Sequence, residues 1–160
     1  MITDPQTPAP GSTFPALELV APDGAHRTLS DVLDGRPAVV HLMRSATCPV
    51  CLAHAAHVQR MHDAGELGGA AFLLLAPGDA AEAATAAQRA ARRSPVAEVW
   101  ATGDGHGAAG LDKVALLQHS GTFVLDGAGT VLAARTAALP PASFDAAEVR
   151  GALAALRDTA

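Results

Sequence analysis

Two compact apolar runs, Ala38-Val39-Val40-His41-Leu42-Met43 and Ala70-Ala71-Phe72-Leu73-Leu74-Leu75, dominate the hydrophobic pattern and predict central strands buried on both faces. Between them, residues 49–64 predict a helix that opens on Pro49 in its first turn and stops at Gly65. The strand, helix and strand over 38–75 have the length a parallel crossover needs. Upstream, strands at 15–20 and 26–29 flank Pro22-Asp23-Gly24 and predict a hairpin. A short helix over 30–34 follows, capped by Ser30 and stopped by Gly35 and Pro37. Downstream, Asp79-Ala80-Ala81-Glu82 has the spacing of a capping box and opens an alanine-rich helix running to Arg92 and Arg93. A strand at 96–100, a short helix near 111–117, a hairpin of 122–125 with 130–133, and a last helix over 143–157 complete the chain. That last helix places Val149, Leu153 and Leu156 on one stripe.

The order of these elements predicts an α/β fold in which a mixed central sheet is flanked by helices and preceded by a β-hairpin. Residues 1–12 hold Pro5, Pro8, Pro10 and Gly11 without periodicity and predict a poorly ordered arm. Residues 13–160 then form one domain, since no repeat or linker divides them. With 160 residues, 49% of them hydrophobic, the chain has material for a real core. The net charge of −5 and the lack of a basic stripe argue against nucleic acid and anionic membrane as partners. No apolar run approaches the ~20 residues that span a bilayer, and the first residues lack a basic and then apolar leader. A soluble cytoplasmic protein is the expectation, and a structural secretory disulfide is then a poor reading of its cysteines.

The candidate chemistry lies in Arg44-Ser45-Ala46-Thr47-Cys48-Pro49-Val50-Cys51, which joins the first apolar run to the helix after it and holds the only two cysteines. A C-x-x-C pair at a strand-to-helix junction points to redox chemistry. At a helix N-terminus, unpaired N–H groups and the dipole favour the Cys48 thiolate, and Arg44 can add positive charge. Cys51, one turn further on nearly the same side, is then the resolving thiol and Cys48 the attacking one. The letters continue Cys48-x-x-Cys51-x-x-His54-x-x-His57, which suggests four metal ligands. On a regular helix, however, Cys48 and His57 stand roughly 13 Å apart along the axis and on opposite sides. Tetrahedral zinc needs all its ligands at about 2.0–2.3 Å, so one helix cannot supply the four. Gly105-His106-Gly107-Ala108-Ala109-Gly110 spells G-x-G-x-x-G but comes too late to open the first βαβ unit, and it reads as a loop. Trp100 reads as a core or rim aromatic.

Several motifs in order carry a resemblance to a known family: Gly11-x-x-Phe14-Pro15, Asp23-Gly24, Leu29-Ser30-Asp31, Gly35-Arg36-Pro37, Cys48-Pro49-Val50-Cys51 and Gly121-Thr122-Phe123-Val124-Leu125-Asp126-x-x-Gly129. Together they resemble the redoxin branch of the thioredoxin fold, which holds peroxiredoxins of the alkyl hydroperoxide reductase type and thioredoxin-like thiol-disulfide oxidoreductases. The resemblance implies a thioredoxin-like fold, no cofactor, a peroxide or protein disulfide as substrate, and a thioredoxin-type or low-molecular-weight thiol as reductant. Pairing of such domains into homodimers is also compatible with it. Ser45, three residues before Cys48, matches the hydroxyl position of peroxiredoxins, while His41 stands where they carry proline. Their distant arginine corresponds to Ser120, with His119 beside it. Thioredoxin-like enzymes place a cis-proline before Thr122, where this chain has Gly121. The resemblance thus assigns Cys48, Cys51, Ser45 and Arg44 to catalysis and His119, Ser120, Gly121 and Thr122 to substrate contact. The peroxidase reading is preferred. Its alternatives are a disulfide oxidoreductase and a redoxin-fold module binding zinc or copper through Cys48, Cys51 and His119.

Overall fold

The computed structural model describes residues 7–111, 113–114 and 117–158. Its backbone is a seven-stranded mixed sheet. The strands are β1 (Glu18–Val20), β2 (His26–Thr28), β3 (Ala38–Leu42), β4 (Ala71–Ala76), β5 (Glu98–Ala101), β8 (Ser120–Leu125) and β9 (Val131–Ala137), in the order β2-β1-β5-β4-β3-β8-β9. A separate small hairpin pairs β6 (Lys113–Val114) with β7 (Leu117–Gln118). Strands β3, β4 and β5 run parallel, and β8 lies antiparallel to β3 on the other side. Strand β3 is therefore central, and all five of its residues are buried.

Alternation along β3 divides the core in two. Ala38, Val40 and Leu42 join Phe14, Leu29, Leu33, Leu73 and Phe123 on the face covered by α1 (Leu29–Leu33). Val39 and Met43 join Phe72, Leu74 and Val124 on the face covered by α2 (Pro49–Asp63), α3 (Ala80–Ala90) and α4 (Ala146–Asp158). Both cysteines belong to this second layer. Helix α2 buries Cys51, Leu52, Ala55, Val58 and Met61, a stripe of helical period, and Val149 and Leu153 of α4 pack against the same layer. Gly65, at φ +75°, lets the chain leave α2, with its N–H on the His62 carbonyl at 2.9 Å. The capping box at the start of α3 is present with both of its bonds.

Two expectations need correction. The short helix α1 is capped by Thr28 rather than Ser30, because the Thr28 hydroxyl accepts the Asp31 N–H at 3.1 Å and the helix starts one residue earlier. Residues 105–109 form a 3-10 turn, and 113–114 and 117–118 form β6 and β7, where a helix over 111–117 was expected. Ahead of β1, Gly11 N–H donates to the Val131 carbonyl and Val131 N–H to that of Ser12, each at 2.8 Å, which gives these two residues backbone partners along β9. The arm over residues 1–6 lies outside the described residues. Among those described, no helix is long and apolar enough to cross a membrane.

Gly121 is tightly enclosed. A Cβ there would stand 3.1 Å from the Arg135 carbonyl oxygen and 3.2 Å from Leu111 Cδ2. Gly121→Ala is expected to lower unfolding stability by about 1–3 kcal/mol, the usual cost of overpacking. Urea denaturation checks it, and an unchanged midpoint would show that β9 yields more readily than this geometry allows.

Candidate active site

The end of β3, the loop 44–47 and the first turn of α2 bring the two thiols together. Cys48 is the N-cap of α2, and its sulfur takes the place a serine hydroxyl would fill, accepting the Cys51 N–H at 3.3 Å. Pro49 follows at the first helical position, where its missing N–H costs nothing. The Cys48 N–H closes the preceding turn on the Ser45 carbonyl at 3.2 Å. Both cysteines are free thiols; Cys48 is 5% exposed and Cys51 fully buried.

The two sulfurs differ in charge state. The Cys48 thiol is pulled down from 9.0 to about 6, first by a hydrogen bond from the Cys51 thiol, then by the N–H groups of Cys51 and Val50 and the Arg44 charge, against the opposing effect of burial. Cys51 is pushed well above the ordinary cysteine range, because it holds the proton that it donates to Cys48 and because it is buried. The Arg44 N–H, at 3.5 Å from Cys51 Sγ, opposes that rise. At neutral pH the pair thus carries one proton, on Cys51, and one negative charge, on Cys48. The asymmetry makes Cys48 the more nucleophilic of the two sulfurs and leaves Cys51 a neutral thiol one turn away.

Of the other anticipated site residues, Arg44 is exposed and acts on the sulfurs through its charge and its backbone N–H. Ser45 contributes its carbonyl to the turn. Thr122 is not open to a substrate. Its hydroxyl donates to the Ser143 carbonyl at 2.7 Å and therefore accepts from His41 Nδ1 at 2.8 Å, buried in the layer under α2. Gly121 points its missing side chain toward Leu111, into the other layer. Ser120 is fully buried, with its Oγ unpaired, on the same side of β8 as Thr122. His119 is half-buried in the link between β7 and β8. The proposed metal set is not assembled: among the described residues no three of His, Cys, Asp and Glu are gathered to hold an ion.

Two histidines that pattern reading passed over stand next to the site. His41 is buried in mid-strand, its Nε2 unpaired and its ring edge-on to His54 at 5.5 Å. Burial, with the nearby His54 and His106, pushes its pKa down to about 3. The signal was a polar residue inside an apolar run, facing a threonine across the β3–β8 pair. His54 in turn donates from Nε2 to the Pro140 carbonyl at 2.8 Å and stacks on Phe144. His106 sits in the 3-10 turn of the glycine-rich motif, and burial pushes it down to about 4. Its Nε2–H donates to the Met43 carbonyl at 2.9 Å, and its Nδ1 accepts the Thr102 hydroxyl at 2.7 Å. The glycine motif is thus a support for the cysteine loop and has no place in nucleotide binding.

A pair of thiols at the N-terminus of the helix that follows a buried parallel strand, in a seven-stranded mixed sheet flanked by helices, defines the class as thiol-redox proteins of thioredoxin-like fold. Residues 9–150 match the family model described as Redoxin, and the chain belongs to that family. Its backbone is similar to that of the peroxidoxin BcpB from Mycobacterium tuberculosis, at 23% identity over 96% of this chain and 99% of that one, with a TM-score of 0.68. It is similar also to the thiol peroxidase from Chromobacterium violaceum, at 16% identity over 96% and 90% of the two chains, TM-score 0.76. Reduced Prx3 from Vibrio vulnificus in complex with H2O2 matches at 21% identity over 91% and 98%, TM-score 0.71. No curated protein sequence matches the chain.

The buried neutral histidines make stability fall with acid. Folded-state values of about 3 for His41 and about 4 for His106 lie below the ordinary 6.5, so between these limits the unfolded chain binds more protons. The stabilisation they give is complete above pH 6.5 and is lost as pH falls, at a slope approaching ~2.7 kcal/mol per pH unit while both differ. Urea unfolding at pH 7 and pH 5 checks this, and His41→Gln should remove roughly half of the slope. Equal stability at the two pH values would mean that the rings are protonated or solvated in the folded state.

Proposed function

We propose that the chain is a thiol peroxidase in which Cys48 reduces a hydroperoxide and Cys51 resolves the product. The observation that carries the reading is the place of Cys48 as N-cap of α2, its sulfur accepting the Cys51 N–H at 3.3 Å with the second thiol one turn away, a setting that favours the Cys48 thiolate at neutral pH. The thiolate attacks the terminal peroxide oxygen, the O–O bond breaks, and the alkoxide or hydroxide leaves and takes up a proton. Cys48 is then a sulfenic acid. Attack by Cys51 forms the S–S bond and releases water, and a thioredoxin-type dithiol or small thiol restores both cysteines.

Two further features favour peroxide over a protein disulfide. Cys48 is 5% exposed, a setting that admits a small oxidant more readily than a folded partner. Gly121 fills the place where disulfide oxidoreductases of this fold dock substrate against a cis-proline, and its surroundings are tight, with a Cβ meeting atoms at 3.1–3.2 Å. The peroxiredoxin arginine is replaced by buried Ser120, so charge developing on the peroxide oxygens must be met by the N–H groups of the first turn of α2 and by Arg44.

Since the thiolate is the reactive form, peroxide consumption should rise through about pH 6 and level off above it, with about a tenfold loss at pH 5. Cys51→Ala removes the largest influence holding the Cys48 value down, and the profile should move toward that of an ordinary cysteine. Cys48→Ser should abolish consumption, while Cys51→Ala should reduce one equivalent of peroxide and stop as the sulfenic acid. Purified reduced protein that consumes hydrogen peroxide no faster than free cysteine, yet reduces insulin disulfides readily, would overturn the assignment.

A further inference from the structure

The peptide unit between Met43 and Arg44 makes two bonds that belong together. Its carbonyl accepts the Nε2–H of His106 at 2.9 Å, and its N–H, carried by Arg44, donates to Cys51 Sγ at 3.5 Å. A trans peptide points these two groups in opposite directions, so the imidazole holds the unit from one side while the sulfur meets it from the other. A carbonyl can only accept, which fixes the proton of His106 on Nε2 and leaves Nδ1 to receive the Thr102 hydroxyl at 2.7 Å. Thr102 follows β5, and its N–H is bonded to the Ala76 carbonyl at 3.0 Å. His106 is thereby a buried strut between the ends of β5 and β3, with both ring nitrogens satisfied.

We propose that His106 is a positioning residue for the resolving step, holding and polarising the Met43–Arg44 peptide so that its N–H meets Cys51 as that sulfur becomes a thiolate. The proposal rests on the two-cysteine cycle above. In the reduced protein Cys51 has no need of this donor, because it is the protonated partner. Once Cys48 is oxidised, Cys51 must lose its proton and attack the Cys48 sulfur. The S–S bond forms, the S–O bond breaks, and the departing hydroxide leaves as water with the Cys51 proton. A fully buried sulfur gains charge in that step, and the Arg44 N–H is the hydrogen bond that favours it. A donor to the far end of the same peptide strengthens that bond and fixes its direction. First attack by Cys48 depends instead on the Cys51 thiol and the turn of α2, so His106 should govern one step and leave the other alone.

The test uses dithiobis(nitrobenzoate) on the reduced full-length protein and follows the two releases of thionitrobenzoate. The first reports attack by Cys48, and the second reports displacement by Cys51 from the mixed disulfide. For His106→Leu the first release should stay within about twofold of wild type while the second slows about tenfold or more. His106→Gln, which keeps an N–H donor, should recover most of the second rate, and Thr102→Val should slow the second release alone and by less. The proposal is overturned if His106→Leu slows both releases alike or neither, or if glutamine rescues nothing. Should His106→Leu fail to fold, an unchanged second release in Thr102→Val overturns it and a selectively slowed one supports it. Wild-type protein that gives both releases but consumes hydrogen peroxide no faster than free cysteine would remove the peroxidase reading and leave the role of His106 to be judged on the second release.

Discussion

The seating of the Cys48 sulfur at the start of α2, where it accepts the Cys51 N–H at 3.3 Å with the second thiol one turn away, is the constraint on which the site depends. A helix N-terminus alone is worth about 0.3–1 kcal/mol to a neighbouring charge, less than one decade in an acid constant. The fall of Cys48 from 9.0 to about 6 spans about three decades, so the dipole and the free N–H groups cannot supply it by themselves. The second thiol supplies the largest part, and in doing so it becomes the harder of the two to ionise. The same neighbour thus lowers one acid constant and raises the other.

The fold is what brings the two thiols together in a buried layer. Strand β3 is paired on both edges, which fixes where the chain leaves the sheet, and Cys48 as N-cap fixes where α2 begins. Of the five residues between the strand end and the cap, Ser45 is tied by the Cys48 N–H and Met43, next to the peptide N–H that meets Cys51, is tied by His106. Beneath the helix, His41, Thr122 and Ser143 form a polar seam through an otherwise apolar layer. Its members are neutral and mostly satisfied, so it places no charge near Cys48. Salt links such as Arg36 to Glu98 lie at the far end of β3 and are more than a third exposed. They brace α1 against β5 without entering the site.

Much of this was legible in the chain. Continuous apolar runs marked β3 and β4, the Asp79 to Glu82 spacing marked a capped helix, and the cysteine spacing placed two thiols one turn apart at a helix start, because each is set by local chemistry. The cap of α1 moved by two residues, since Thr28 and Ser30 offer equivalent hydroxyls and the register of the β1–β2 hairpin decides between them. The roles of His41 and His106 were not legible. Each is defined by a partner far along the chain, Thr122 for one and the Met43 carbonyl for the other. Gly121 and Thr122 looked like one substrate-facing stretch, yet strand alternation sends them into different layers, and only the sheet register shows which.

Titration of thiolate absorbance in the reduced protein tests the shared-proton account most directly. One thiolate should appear with a midpoint near pH 6, and the second should remain absent well above the range of an ordinary cysteine. In Cys51→Ala the single remaining step should move upward. Two equal steps in the ordinary cysteine range, unchanged for Cys48 when Cys51 is replaced, would contradict the account.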